Sequence, residues 1–147
     1  MKKILLSFFL LSLVCSCSKI DKSQLIGTWE RDNSLISATD TLDVAVTTNS
    51  NESFNDDGTY EEVLTIFINN GFLKMKRNTV GYGTWSIDDD MLIVKVNKQH
   101  DDDGTVRVLD DVQNRKIISV SSNEYIYSIE NDSTKEITSV VMKKVKN

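Results

Sequence analysis

The chain has 147 residues, of which 27% are charged and 39% hydrophobic, with a single histidine and no proline. This length suits one domain with one core. Without Lys2 and Lys3, which belong to an N-terminal leader, 15 basic residues are outnumbered by 22 acidic ones, a net charge of −7. The balance argues against nucleic acid or an anionic membrane face as a partner, because both need a positive patch.

The first residues have the pattern of an export signal. Lys2 and Lys3 precede an apolar run over 4–14, which is too short to span a bilayer because a span takes about 20 residues. The run leads into Val14-Cys15-Ser16-Cys17. This arrangement resembles the lipobox of bacterial lipoproteins and implies cleavage before Cys17 and acylation, including palmitate, at Cys17. Cleavage before Cys15 fits the lipobox less well, and an ordinary secretory signal with two incidental cysteines is the alternative.

The predicted segments are a signal peptide over 1–16, a lipidated cysteine and polar tether over 17–23, and one folded domain over 24–147. Asp21 or Ser23 can cap one helical turn that leads into Leu25. No second cysteine remains for a disulfide after cleavage. We expect a protein of the bacterial cell envelope, anchored by its lipid to the outer membrane, with the membrane as a partner through that anchor.

After the tether, the chain is predicted to consist of strands. Runs rich in β-branched and aromatic residues end at Asn, Asp or Gly, and no run keeps a helical period for long. The predicted strands are 26–32, 41–48, 51–56, 59–69, 72–77, 80–88, 91–98, 104–112, 115–121, 124–130 and 136–145, some of which we expect to merge. The predicted turns are Asp57-Gly58, Asn70-Gly71, Asp88-Asp89-Asp90, Asp103-Gly104 and Asn114.

Consecutive hairpins predict an all-β fold, an up-and-down antiparallel β-barrel of about 8–10 strands, with a β-sandwich as the alternative. Alternation groups apolar residues on single strand faces, and the groups are Leu92, Val94 and Val96; Tyr60, Leu64, Ile66 and Ile68; and Ile137, Val141 and Val145. Apolar residues also occur on the opposite faces, among them Val63, Phe67, Val140 and Met142. We therefore expect part of the outer surface to be covered.

Three sequence patterns carry a resemblance to a family. They are Leu25-Ile26-Gly27-Thr28-Trp29, Phe54-Asn55-Asp56-Asp57-Gly58-Thr59-Tyr60, and Gly83-Thr84-Trp85-Ser86-Ile87-Asp88 followed by Leu92. In this order they resemble the lipocalin-like domains of small bacterial lipoproteins over residues 24–98. The signature residues are Gly27, Trp29, Asp57, Gly58, Tyr60, Gly83 and Trp85. The resemblance implies a lipocalin-like barrel, with a tryptophan closing one end.

No constellation of side chains predicts catalysis, and we expect no enzyme and no cofactor. His100 is the only histidine and is predicted to be a solvated turn residue. Weak candidates for a cation site are Asp101, Asp103 and Asp110, which follow the outline of a calcium loop but lack its first Asp and its last Glu. The predicted metal content is therefore none. Acidic pairs at hairpin tips are typical of turns.

Two functions remain as expectations. The first is a non-catalytic, membrane-anchored binding protein for a small hydrophobic or lipidic ligand, held in a cavity lined by residues such as Leu64, Phe67 and Tyr125. The second is an envelope interaction or structural module, in which a filled barrel presents its edges or loops to another envelope protein.

Overall fold

The computed structural model describes residues 20–31, 35–39, 44–69, 71–131 and 133–146. These ranges contain a four-residue helix and nine strands: α1 Lys22–Leu25, β1 Gly27–Arg31, β2 Leu35–Thr39, β3 Val44–Phe54, β4 Thr59–Asn69, β5 Lys74–Asp88, β6 Met91–Asp101, β7 Val106–Val120, β8 Glu124–Glu130 and β9 Ile137–Lys144. No helix in them is long and apolar enough to cross a membrane. The predicted signal peptide and Cys17 lie outside the described residues.

The strands form one antiparallel sheet that closes on itself. Their order is β1-β9-β8-β7-β6-β5-β4-β3-β2, and β1 also pairs with β3. β1 and β2 lie along the same edge of β3, β1 beside its last residues and β2 beside its first. They therefore share one position in a closed eight-stranded barrel. The predicted all-β, up-and-down barrel is confirmed, and the sandwich alternative is wrong.

Three pairs of predicted strands merge, as was expected of some of them, and the predicted turn at Asn114 is wrong. Residues 49–50, 78–79 and 113–114 lie inside β3, β5 and β7. Polar side chains at two of these positions bond across the sheet, since Thr65 Oγ1 donates to Asn78 Oδ1 and Thr79 Oγ1 donates to Asp101 Oδ1. Such a residue resembles a turn residue in sequence but is compatible with a strand. The segment 35–39, not predicted as a strand, forms β2.

Other predicted turns are confirmed. Asp57-Gly58 connects β3 to β4, the Asp88–Asp90 segment connects β5 to β6, and Asp103-Gly104 connects β6 to β7. Gly71 lies between β4 and β5 with a positive φ of 79°, whereas Asn70 lies outside the described residues.

The core occupies one end of the barrel. We call this the proximal end, defined by α1 and the hairpins at 55–58, 89–90 and 121–123. The buried apolar residues are Leu25, Trp29, Phe54, Tyr60, Trp85, Leu92, Val94, Val96, Ile117, Tyr125, Tyr127, Val140 and Met142. Asp21 caps α1, and Ile20 packs against this core. The folded domain thus includes Ile20, in the segment predicted as tether.

The inward face of β9 carries Val140 and Met142, which the alternation had placed opposite Ile137, Val141 and Val145. Met142 is fully buried, whereas Ile137 is 70% exposed. Pairing with β8 explains this, because Val140 and Met142 lie beside the buried Tyr127 and Tyr125. On the outer face, Val63 and Val141 are half-buried, whereas Phe67 is 42% exposed.

Candidate functional site

The seven signature residues lie at or near the proximal end. Trp29 Nε1 donates to the carbonyl oxygen of Leu25 at 2.7 Å, and Trp85 Nε1 donates to that of Asn55 at 2.9 Å. Each ring packs on a second buried aromatic ring, Trp29 on Tyr125 and Trp85 on Phe54, with centroids 4.9 and 5.2 Å apart. Buried rings with satisfied N–H groups make this end a solid plug. The remaining signature residues are Gly27 in β1, Asp57 and Gly58 in the β3–β4 hairpin, Tyr60 in β4 and Gly83 in β5.

Above the plug, the barrel interior contains a buried ion pair. Arg115 Nη1 lies 2.6 Å from Glu52 Oε2, and both side chains are at most 4% exposed. Tyr125 donates its hydroxyl to the same Glu52 oxygen at 3.0 Å. Gln113 Oε1 accepts from Arg115 Nε at 3.2 Å and from Nη2 at 2.7 Å. A charged pair inside a barrel is costly to desolvate, and the hydrogen bonds from the Tyr125 hydroxyl and to Gln113 offset part of that cost.

A second carboxylate lies next to this pair. Glu62 is paired with Glu52 across β3 and β4, so both side chains point inward, and Ser50 Oγ donates to Glu62 Oε1 at 2.9 Å. Tyr60, two residues before Glu62, is 2% exposed, and its hydroxyl lies beside Glu62 and Arg115, where it lowers the pKa of Glu62. We call Ser50, Glu52, Glu62, Gln113 and Arg115, together with the hydroxyl of Tyr60, the polar layer.

Burial and mutual charge shift the pKa values in the polar layer. Burial raises the pKa of Glu62, and the charge of Glu52 raises it further. Burial alone would lower the pKa of Arg115, but Glu52 together with the neighbouring Tyr127, Tyr60 and Tyr125 outweighs it and holds this pKa well above its usual value. Burial raises the pKa of Tyr127, whose ring lies under the Arg115 guanidinium at 4.8 Å, to about 12. The tyrosines therefore stay neutral, and Glu62 is the group whose charge is least stable.

On the far side of the polar layer, the distal half of the barrel is less densely filled. The inward-facing residues of β4 beyond Glu62, namely Leu64, Ile66 and Ile68, are only half-buried. A cleft of about 400 Å³ lies at this end, mainly on the outer side of the sheet, since five of its seven lining residues point outward. It is lined by Thr47, Phe67, Ile68, Asn69, Lys74, Met75 and Lys76. Clefts of this volume can hold a small ligand.

The three residues expected to line a cavity lie in different parts of the barrel. Phe67 lines the cleft, but it lies on the outer side of β4 and is 42% exposed. Leu64 faces the distal interior. Tyr125 is fully buried in the core, so its predicted place in a cavity is wrong.

Two of the three residues of the weak cation candidate are engaged within the chain. Asp101 accepts from Thr79 Oγ1 and forms an ion pair with Arg107. Asp103 Oδ1 accepts from the backbone N–H of Thr105, and Asp110 is an exposed residue of β7. Within the described ranges, no group of three or more His, Cys, Asp and Glu residues is placed to hold a metal ion.

His100 is not the solvated turn residue that the sequence predicted. It lies in β6, half-buried, and its ring meets that of Tyr82 edge to face at 5.4 Å. β6 continues to Asp101, since the following Asp-Asp-Gly forms the turn.

Sequence reasoning missed the polar layer. Glu52 lies two residues before the buried Phe54, and Arg115 lies two residues before the buried Ile117. In a strand, residues two apart share a face. A charged residue two positions from a core residue therefore predicts a charge inside the barrel. This pattern was missed because three of the strands had been divided at their polar residues.

Comparison with known proteins adds no family, since no protein-family model matches the chain and no curated protein is significantly similar to it in sequence.

Proposed function

We propose that this protein is a non-catalytic binding protein of the bacterial cell envelope, anchored by a lipid on Cys17 to the outer membrane, that holds a small amphiphilic or lipidic ligand in the distal half of its barrel. The observation that carries the proposal is the change in packing along the barrel. Most large inward-facing residues are buried at the proximal end, whereas those of β4 beyond the polar layer are only half-buried.

The chemistry of the two zones fits an amphiphile. Half-buried Leu64, Ile66 and Ile68, with Met75 beside Ile68 on β5, offer an apolar strip, which is flanked on the same inner face by Thr48 of β3 and by Arg77 and Thr79 of β5. The polar layer lies at the inner end of this strip. Ligand sites combine apolar lining with a few placed polar groups, which is the arrangement here. An apolar tail would lie along the strip with its head at the polar layer.

Ligand binding is tested with the secreted chain carrying Cys17→Ser, examined by native mass spectrometry for copurifying molecules and by uptake of a fluorescent hydrophobic probe. Ile68→Trp fills the distal interior and is expected to abolish uptake without changing the β-sheet circular dichroism. Val112→Trp, at an exposed position of β7, is the matched control and is expected to bind normally. Absence of both copurifying ligand and uptake in a folded protein would contradict the proposal.

A second candidate function is the interaction module, with another envelope protein as the partner. It is favoured by exposed apolar side chains along the outer face of β7, where Val106 is 52%, Val108 88% and Val112 47% exposed. Crosslinking from position 108 in intact cells tests this candidate. One discrete adduct, lost in Val112→Lys, would support it, and the absence of any adduct would contradict it.

A further inference from the structure

The hairpin between β4 and β5 carries the most exposed aromatic side chain of the described residues. Phe72 is fully exposed and Leu73 is half exposed. Phe67, on the outer side of β4, is 42% exposed, and its ring centroid lies 5.6 Å from Lys76 Nζ. Residues 74–78 lie beyond the pairs that β5 forms with β6, so the hairpin protrudes on that side. A cluster of exposed apolar side chains marks a binding surface. We call Phe67, Phe72, Leu73, Lys74 and Lys76 the distal tip.

The sequence around the distal tip differs in charge from the rest of the chain. Residues 63–87 contain no Asp or Glu and three basic residues, although the chain as a whole is acidic. Lys74 and Lys76 are exposed on the outer side of β5, and neither forms an ion pair within the described ranges. The third basic residue, Arg77, points inward and lies within electrostatic range of Asp103. The two lysines therefore supply the positive charge of the distal tip.

The segments beside the distal tip leave this charge largely in place. On one side, residues 44–47 of β3 are uncharged, and Asp43 lies outside the described residues. On the other side, the acidic β6–β7 turn meets β5 at Asn78, whose backbone N–H donates to Asp102. Lys74 is four residues farther along β5, about 13 Å at the rise of a strand. This distance exceeds the Debye length of about 8 Å at physiological ionic strength, so the turn has little effect on Lys74.

The cleft on the outer side of the sheet adjoins the distal tip. Lys74, Lys76 and Phe67 line it, together with Thr47 and Asn69. The outward-facing lining thus places two ammonium groups, an amide and a hydroxyl around one aromatic ring. These groups are donors to phosphate oxygens, and lysine binds phosphate as a point charge. The cleft can therefore receive a phosphate group, while the apolar residues of the turn extend beyond it.

We propose that the distal tip docks on the surface of a bilayer that contains anionic phospholipids. The two lysines bind lipid phosphates, and Phe72 and Leu73 enter the layer between head groups and acyl chains. Phe72 lies two residues from Lys74, at most about 7 Å along the chain. This matches the depth of about 5–10 Å to which interfacial apolar side chains enter a bilayer. A protruding apolar tip fits a deformable bilayer, whereas a protein partner would need a preformed pocket for it.

This contact is separate from the lipid proposed on Cys17 and from a ligand inside the barrel. Ile20 packs against the proximal core, and the distal tip lies at the opposite end of β4. With the proximal end held by that lipid, the distal tip would meet a second bilayer. A chain without the lipid is therefore sufficient to test the contact.

The test uses the secreted Cys17→Ser chain and sedimentation with two kinds of vesicle. One contains equal parts of phosphatidylglycerol and phosphatidylcholine, and the other contains phosphatidylcholine alone. Binding to the anionic vesicles is expected to be at least about tenfold tighter, since each lysine near an anionic surface contributes about fivefold in affinity. Added salt is expected to weaken this binding by screening.

Two double variants test the charge. Lys74→Gln with Lys76→Gln is expected to weaken binding to the anionic vesicles about twentyfold, from about fivefold for each lysine. Lys95→Gln with Lys98→Gln is the matched control, because it removes two exposed lysines from the outer face of β6. It is expected to leave binding within about twofold of the parent, since these lysines lie away from the distal tip.

Three single variants test the apolar contact. Phe72→Ser is expected to weaken binding about tenfold, by loss of apolar burial. Tryptophan is favoured at bilayer interfaces, so Phe72→Trp is expected to bind and to shift its fluorescence to the blue when anionic vesicles are added. Val108→Trp is the matched control at an 88% exposed position of β7, and it should bind without such a shift.

The outcomes decide which partner the distal tip contacts. The proposal is overturned if the parent chain does not sediment with anionic vesicles, if it binds both kinds of vesicle equally, or if the lysine and Phe72→Ser variants bind as the parent does. A discrete protein adduct crosslinked from position 72 in cells, without vesicle binding, identifies a protein partner instead. Self-association lost in Phe72→Ser, again without vesicle binding, identifies a second copy of the chain. Each of these results leaves ligand binding in the barrel intact.

Discussion

At the scale of single residues, the ion pair in the polar layer determines how much stability is lost when either of its members is substituted. Glu52 and Arg115 are both almost fully buried and 2.6 Å apart. A buried charge without its partner is far less favourable than the pair, whereas two apolar residues of similar size cost little. We therefore expect the removal of one member to cost more stability than the removal of both.

Arg115→Met is expected to destabilise the fold by about 3–5 kcal/mol, because it leaves the Glu52 carboxylate buried without a counter-charge. Glu52→Leu combined with Arg115→Met is expected to cost less than Arg115→Met alone. Urea denaturation of the parent, Glu52→Leu, Arg115→Met and the double variant measures both effects. A double variant that loses as much as the sum of the two single variants would show that the pair is not coupled.

Glu62→Gln is expected to change how stability depends on pH. The pKa of Glu62 is raised above its ordinary 4.5 in the folded state, so between 4.5 and the raised value the folded protein holds more protons than the unfolded chain. In this window the free energy of unfolding falls as pH rises. Glu62→Gln abolishes that contribution. The free energy of unfolding should therefore fall less between pH 4.5 and pH 7 in the variant than in the parent. Thermal melts of parent and variant across pH 4–7 provide the measurement, and identical pH profiles would contradict it.

At the scale of strands, the closure of the barrel depends on irregular pairing. Between β5 and β6 the register shifts, so that Tyr82 pairs with Lys98 and Gly83 with Val96, and Asn97 is the extra residue. Bulges of this kind sharpen the bend of a sheet. The shift brings the β6 backbone against Gly83, where a Cβ atom would lie 1.8 Å from the carbonyl oxygen of Lys95.

Gly83→Ala is expected to destabilise the barrel by about 3 kcal/mol or more, because the added methyl group meets backbone that cannot move without breaking the pairing of β5 with β6. Gly104→Ala is the control. Gly104 lies in the β6–β7 turn with a φ of +86° and no atom within 4 Å of an added Cβ, so its cost should be about 1–2 kcal/mol from backbone strain alone. Denaturant midpoints compare the two, and equal losses would contradict the close approach at Gly83.

At the scale of the whole molecule, the plug and the proposed anchor lie at the same end. Ile20 packs against the proximal core, and three peptide steps separate it from Cys17, a reach of about 11 Å at most. A lipid on Cys17 would hold the proximal end at the membrane surface. The distal end, on whose outer side the cleft lies, would then face away from that membrane.

The anchor itself is tested by substituting each of the two cysteines. Cys17→Ser is expected to abolish labelling with radioactive palmitate and to release the protein from the membrane fraction. Cys15→Ser is the matched control and should remain labelled and membrane-bound, since Cys15 lies in the segment predicted to be removed. Release by Cys15→Ser alone, with Cys17→Ser still anchored, would contradict the assignment of Cys17.

Local patterns in the sequence were sufficient to predict the all-β class, the up-and-down barrel and several hairpins, such as those at Asp57-Gly58 and Asp103-Gly104. Turn residues and strand alternation act over a few positions and are visible in the sequence. The continuity of β3, β5 and β7 depended on cross-strand partners such as Thr65 and Asn78, which no local pattern contains. The polar layer likewise depended on tertiary structure, because Glu52 and Arg115 are 63 positions apart and meet only when the barrel closes.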